Sequence, residues 1–279
     1  MAEVGRSKVE KLGVEELKEI AREVRRRTVQ TLHGAGGGHY GGSLSVVEAL
    51  TALYFRVLRY DSSNPSWEER DRFVLSKGHA CASFSVALSM AGFFPGEWLE
   101  SFNKFESPLG VHPDMHKIPG CDMSTGSLGH GLPVGVGMAI AGKFDGKGYR
   151  VFVMVGDGEC QEGSIWEAAM AAAHHRLDNL VCMVDRNMLN LDGPTEEVMK
   201  LEPFTKKWES FGWCLRCVDG HDMGQVVEAL ESVPFCEGKP SVIILNTIKG
   251  KGIPFLEGKV SSHYSKLTDE QVSQVLATL

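Results

Sequence analysis

Long apolar runs are what this 279-residue sequence has least of. The opening MAEVGRSKVEKLGVEELKE holds no apolar stretch of the export type, and the most apolar later segment is broken by glycines, His130 and Pro133. Neither an export signal nor a membrane span is expected. Excess positive charge is missing as well: 29 Lys+Arg against 36 Asp+Glu leave a net charge of -7, which excludes a general nucleic-acid surface but leaves room for local basic patches that hold phosphates. Cysteine is sparse and irregularly spaced, seven in all, which fits a reducing cytoplasm better than a disulfide scaffold. The C-x-x-C from Cys214 to Cys217 lies in a strand-like run with no second pair, so these thiols read as core or strand residues rather than zinc ligands. Repeats and linkers are absent too. With 43% hydrophobic and 23% charged residues the chain cannot be disordered or collagen-like, and its length suits one large α/β domain spanning residues 1–279.

What is abundant is glycine, 32 residues gathered at the ends of apolar runs, a pattern that points to backbone approaching a ligand. Residues 14 to about 32 space Val14, Leu17, Ala21, Val24, Thr28 and Leu32 as the stripe of an amphipathic helix, with Arg25, Arg26 and Arg27 read as its solvated face. His39 follows a glycine cluster, and Ser43 or Ser45 is placed to cap a helix through Val46, Leu50, Leu53 and Tyr54. Phe73-Val74-Leu75 reads as a buried strand that runs through Ser76-Lys77-Gly78-His79 into a further helix. The clearest unit begins at Val151-Phe152-Val153-Met154-Val155, a strand buried on both faces. It enters Gly156-Asp157-Gly158, then a helix through Trp166, Ala169, Ala173 and Leu177, then a second strand, Leu180 to Val184, ending at Asp185-Arg186-Asn187. Strands near 214–218 and 242–245 enclose a helix near 226–230. The predicted fold is α/β, a doubly wound and mostly parallel sheet with helices on both faces.

In such sheets ligands bind beyond the carboxyl ends of the strands, where Asp157 and Asn187 sit on two strands of one βαβ unit. Gly156 and Gly158 allow a tight turn whose amides, with the start of the next helix, face an anion. A carboxylate, an amide oxygen and a backbone carbonyl are hard ligands, suited to Mg²⁺ (or Ca²⁺ or Mn²⁺) already holding phosphate oxygens. His112 and His116 are four apart, but Pro113 argues against the helix that would make them a zinc pair, and His174-His175 read as helix surface.

Gly-Asp-Gly alone is a turn. Followed by 28 residues and Asn187, with a strand before each end and a helix between, it resembles the thiamine diphosphate enzymes. The flanking Glu162-Gly163 and Asp192-Gly193, with Gly38-His39, Asp71 to Ser76, Gly78-His79, His112-Pro113, Thr125 to Gly131, Asp219 to Asp222, Thr247 to Gly252 and His263, narrow the resemblance to transketolase in family order. The resemblance implies that Asp157, Asn187 and the Leu189 carbonyl bind the metal, that Gly156, Gly158, His79 and His263 face the cofactor, and that Gly126 and Leu128 line its thiazolium ring. It further implies that His39, His112 and His263 handle substrate hydroxyls and oxygens, and that Glu162 lies at a subunit interface. The family's pyrimidine-binding domain has no match in this chain. The simplest expectation is therefore the amino-terminal subunit of a split transketolase. A carboxy-terminal partner would supply the missing domain, two copies of each chain would assemble, and sugar phosphates would be the substrates. Half of another thiamine enzyme (a deoxyxylulose-phosphate synthase, a dihydroxyacetone synthase or an oxo-acid dehydrogenase α-chain) and a non-catalytic thiamine diphosphate binder stay open. Ser127, His130, Arg186 and Tyr264 depart from commoner family residues, Tyr264 standing where glycine is frequent. A nicotinamide-binding turn is excluded by context, because Gly36-Gly37-Gly38 follows a helix and not a strand.

Overall fold

A computed structural model describes residues 12–279; the amino-terminal segment read for an export signal lies mostly outside the described residues. The chain runs α1 (Val14–Gly34), α2 (Tyr40–Leu44), α3 (Val47–Ala52), β1 (Arg72–Leu75), α4 (Cys81–Met90), α5 (Gly131–Phe144), β2 (Val151–Gly156) and α6 (Gly163–His174). It continues through β3 (Leu180–Arg186), α7 (Thr195–Val198), α8 (Phe204–Ser210), β4 (Cys214–Asp219), α9 (Met223–Glu231), β5 (Ser241–Asn246) and α10 (Asp269–Thr278). The strands form one sheet in the order β1-β2-β3-β5-β4, every pairing parallel, as the sequence pattern predicts.

Alternation along the buried strands builds two cores. Phe152, Met154, Val181, Met183, Ile243 and Leu245 face α1, α3, α4 and α9. Val151, Val153, Val155, Leu180, Cys182, Val184 and Ile244 face α5, α6 and α8, where Trp208 is fully enclosed. Because β2 and β3 are covered on both sides they need no polar face, which is why they read as unbroken apolar runs. Truncating fully buried Phe152 to Ala would cost about 3–5 kcal/mol.

Three sequence expectations are corrected. Arg25 is not on the solvated face of α1: it is buried, with Nη2 2.8 Å from Glu48 Oε1 and Nε donating to the Lys251 carbonyl at 3.1 Å. Tertiary pairing with an acid on α3 compensates the charge that composition alone would put in water. Neither Ser43 nor Ser45 caps a helix; residues 40–44 already form α2, and the Ser45 hydroxyl donates to Asp185 Oδ2 at 2.7 Å. Cys214 is bonded to Cys236, tying edge strand β4 to the loop before β5, because the Cys214 amide donates to Pro240 C=O and so draws that loop across the strand. Cys217 is exposed. His174 and His175 are exposed as expected, and the stretch from His112 to His116 is irregular, in keeping with Pro113.

Candidate active site

Register decides where the first acids stand. Gly156 pairs with Asp185 across β2 and β3, so Asp157, the first residue past β2, stands beside Arg186, the last residue of β3, with Oδ2 3.3 Å from Arg186 Nη1. The Met188 amide then turns back to donate to Asp157 Oδ2 at 2.6 Å, and Asn187 Oδ1 accepts the Leu189 amide at 3.1 Å. Gly158 permits the closeness of these loops, since a Cβ there would lie 2.8 Å from the Asn190 Cβ. Asp157, Asn187 and the Leu189 carbonyl thus share one loop system at the carboxyl ends of adjacent strands.

The proposed anion turn is corrected in part. The Gly156 amide donates to Glu159 Oε2 at 3.0 Å and the Gly158 amide to Asp157 Oδ1 at 2.7 Å, so neither amide is free for a phosphate. A 3-10 turn over Gly158–Gln161 also separates the Gly-Asp-Gly turn from α6. Glu159 takes the Gly156 amide because its buried carboxylate is shared with the Ser76 hydroxyl and the Gly129 amide, joining three loops.

Cationic side chains supply what the amides do not. Lys77 Nζ contacts the Asp185 carboxylate, both groups being buried. Asp185 also accepts the Ser45 and Thr247 hydroxyls and the Asn187 side-chain amide, at 3.0 Å for the last. Lys249 Nζ reaches the carbonyls of Leu189 (3.2 Å) and Asn190 (2.8 Å). Burial, then the charge of Lys77, pushes the Lys249 ammonium down to about 8. Burial, then the charge of Asp185, pushes the Asp157 carboxyl up to about 6. Lys77 is matched by Asp185, and Asp157 Oδ2 lies 3.3 Å from Arg186 Nη1, so Lys249, which has only carbonyl partners among the described residues, is the buried cation left to face an anion. Lys249 is held from behind: the Ile248 amide donates to His221 Nε2 at 2.8 Å, which leaves the His221 Nδ1 proton for Glu48, 3.1 Å away, and Glu48 pairs with Arg25.

The histidines converge on the same end of the sheet. Ring centroids of His39 lie 5.4 Å from His79, 6.5 Å from His112 and 5.3 Å from His263, and His79 lies 5.0 Å from His263. The Gly38–Ser265 bridge brings the His263 segment against His39, and it needs Gly37, whose φ is +125° and whose Cβ would stand 2.7 Å from the Ser265 oxygen. Burial, then the charge of His112, lowers His39 to about 4; burial, then the charge of Lys249, lowers His263 to about 4. Burial, then Lys77, holds His79 well below its ordinary value. Near neutral pH these rings are uncharged and can each donate or accept one hydrogen bond. A Cβ on Gly126 would be 3.6 Å from the His112 ring, so Gly126 borders the cluster, and half-buried Leu128 follows in the same loop. Glu162 stands apart, exposed at the start of α6 beside Gly129.

Sequence reasoning missed Lys77, Lys249 and Asp185 as site groups. Their signal was position: Lys77 lies between Leu75 and His79 at one strand end, Asp185 ends β3, and Lys249 follows β5. The donor set fits the expected group. Hard oxygens suit a divalent cation, Lys249 suits a diphosphate, and the buried Nδ1 of His263 has no hydrogen-bond partner among the described residues.

A parallel sheet with acidic, amide and lysine groups converging beyond its carboxyl ends is the arrangement of a protein that binds an anionic cofactor. Residues 17–279 match the family described as transketolase, thiamine diphosphate binding domain, and the chain belongs to that family. It is 46% identical over 264 residues to the 6-deoxy-6-sulfo-D-fructose transketolase subunit SqwG of Clostridium sp. (strain MSTE9), covering 95% of this chain and 96% of that one. It is 44% identical over 269 residues to an apulose-4-phosphate transketolase subunit of Actinobacillus succinogenes, covering 96% and 97% respectively. The transketolase structure from Campylobacter jejuni superposes with a TM-score of 0.89 at 30% identity, over 95% of this chain and 42% of that chain. Among the described residues no helix is long and apolar enough to cross a membrane.

Proposed function

We propose that this chain is the amino-terminal subunit of a two-chain cytoplasmic transketolase, active only with a partner. The observation that supports this best is one of extent: the chain spans nearly all of relatives named as transketolase subunits, but only 42% of a transketolase chain of the same fold. A carboxy-terminal subunit carrying the pyrimidine-binding domain is the complement, two copies of each chain making the assembly, with residues 1–279 as one diphosphate-binding domain. The reaction is transfer of a two-carbon ketol unit from a ketose bearing an anionic terminus, a phosphate or a sulfonate, to an aldose phosphate.

Thiamine diphosphate, when bound, supplies the carbanion and electron-sink chemistry. The chain's own groups do the rest. Asp157, Asn187 and the Leu189 carbonyl would hold Mg²⁺, which requires Lys249 to withdraw from that carbonyl toward the diphosphate. Lys249 and His79 would seat the diphosphate, Gly158 serving to let the Asn190 loop approach, with Gly126 and Leu128 beside the thiazolium. His39 and His263, uncharged at neutral pH, donate to substrate oxygens or accept a proton at their ring nitrogens. His112, exposed at the edge of the cluster, contacts the donor's terminal hydroxyl. Glu162, exposed and away from the histidines, serves the contact between subunits.

The test is native mass analysis of the chain, captured from its source cells with thiamine diphosphate and Mg²⁺ and assayed for ketol transfer. The proposal expects a complex with a pyrimidine-domain subunit that transfers without releasing carbon dioxide from a ketose donor. Transfer by the rigorously purified single chain would refute the need for a partner. Cofactor binding with no active complex would favour the non-catalytic reading.

A further inference from the structure

Tyr264 lies against the histidine cluster and has no place in the roles assigned above. Gly38 and Ser265 exchange two backbone hydrogen bonds of 3.0 Å in an antiparallel bridge. One step along that register residue 264 faces residue 39, and pairs of this non-hydrogen-bonded kind bring their side chains close on one side. The contact follows: Tyr264 meets the His39 ring edge-on, centroids 5.2 Å apart and planes at 87°. A backbone with φ -136° and ψ 124° sets this extended geometry without strain.

The exposure of Tyr264 is not that of a core tyrosine. Half of its surface, 50%, is open. Tyr60 and Tyr149 spend their hydroxyls on the carbonyls of Tyr54 and Met138, whereas the Tyr264 hydroxyl makes no hydrogen bond among the described residues. The chain therefore places a phenol with free donor and acceptor capacity, next to the Gly38–Ser265 bridge, at the ring that is central to the histidine cluster. We infer that Tyr264 is a specificity-determining residue: its ring walls the substrate path outside His39, and its hydroxyl hydrogen-bonds a hydroxyl of the donor's sugar chain beyond the transferred two carbons. This rests on the transketolase reading. The ligand class is a polyhydroxylated chain, which a phenol can meet both as donor and as acceptor. A short donor that lacks the chain gains nothing from it.

The experiment compares wild type, Tyr264→Phe and Tyr264→Gly, each in complex with the partner subunit, on three donors. D-fructose 6-phosphate and 6-deoxy-6-sulfo-D-fructose carry the chain; hydroxypyruvate carries the two-carbon unit without it. Removing the hydroxyl alone should lower kcat/KM for the preferred ketose about fivefold, the worth of one neutral hydrogen bond, and leave hydroxypyruvate within about twofold. Removing the ring as well should change the ratio between the two ketoses by at least about fivefold. Thiamine diphosphate affinity should stay within about twofold in both variants, which also reports that they fold. Equal losses on all three donors would overturn the inference, since Tyr264 would then act through His39 or the cofactor. Unchanged rates would overturn it by showing no contact, as would a wild-type complex that uses hydroxypyruvate but neither ketose. A wild-type complex with no transfer from any donor would bring down the transketolase reading itself, and this inference with it.

Discussion

Replacing Lys77 with Met should be among the most damaging single changes to this chain, and its cost can be worked from the surroundings of Asp185. The Asp185 carboxylate is fully buried, with Lys77 as the cation in contact and Ser45, Thr247 and Asn187 as neutral donors. Burial raises its pKa, and the charge and hydrogen bond of Lys77 with the hydroxyls of Thr247 and Ser45 outweigh that, so the net shift is downward. Met keeps most of the Lys77 volume but leaves the carboxylate with neutral donors only. Breaking one side of a buried pair costs about 3–5 kcal/mol. Relief of Lys249, which Lys77 repels, offsets a smaller part, because burial is the larger cause of the Lys249 shift. A net loss of about 3 kcal/mol corresponds to roughly 5 °C in Tm for a chain of this size.

The pH dependence carries the sign. In the wild type Asp185 titrates below its unfolded value, so its contribution is present above that value and is lost as pH falls through the folded pKa. In the variant, burial dominates, the folded pKa lies above the unfolded one, and the penalty is largest near pH 7 and shrinks as the carboxyl takes up a proton. Urea unfolding followed by tryptophan fluorescence should show the widest gap at pH 7 and a narrower one at pH 5. Lys77→Met with Asp185→Asn should cost less than Lys77→Met alone. A variant within about 1 kcal/mol of wild type at pH 7, or a gap flat with pH, would refute the reasoning.

Three further outcomes are expected. Asp157→Asn should change the stability of the cofactor-free chain little at pH 7, because burial and Asp185 push the Asp157 carboxyl to about 6 despite Arg186 beside it, and Arg186 keeps Glu202, Glu196 and Thr195 as partners. The same change should abolish the thermal shift produced by thiamine diphosphate with Mg²⁺, read by differential scanning fluorimetry. His39 and His263 are each lowered from 6.5 to about 4, so the unfolded chain binds more protons between those values. Their contribution is full above about pH 6.5 and is lost as pH falls toward 4, together on the order of a few kcal/mol; a His39→Asn/His263→Asn chain should lose less stability from pH 7 to pH 5 than wild type in urea titrations. His112→Ala should raise KM for a ketose donor about tenfold while thiamine diphosphate affinity changes less than twofold, and equal loss of both would contradict its place at the substrate.

The elements of this fold were legible because they rest on local rules. Unbroken apolar runs at 151–155 and 180–184 gave the two central strands, and the stripe from Val14 to Leu32 gave α1, since burial on two faces or one writes itself as a run or a period. The Gly-Asp-Gly turn and Asn187 were legible for the same reason: strand ends fix where a site can be. The convergence of His39, His79, His112 and His263 was implied only through family resemblance, because no local rule joins residues more than 200 positions apart. Tertiary structure alone decided the rest. It turned Arg25 inward to meet Glu48, closed Cys214 onto Cys236, and brought Lys77 to the Asp185 carboxylate of β3 and Lys249 to the Leu189 and Asn190 carbonyls. The physical reason is the same in each case. Compensation of a buried charge or pairing of a buried amide depends on which distant residue packs alongside, and spacing along the chain carries no record of that neighbour.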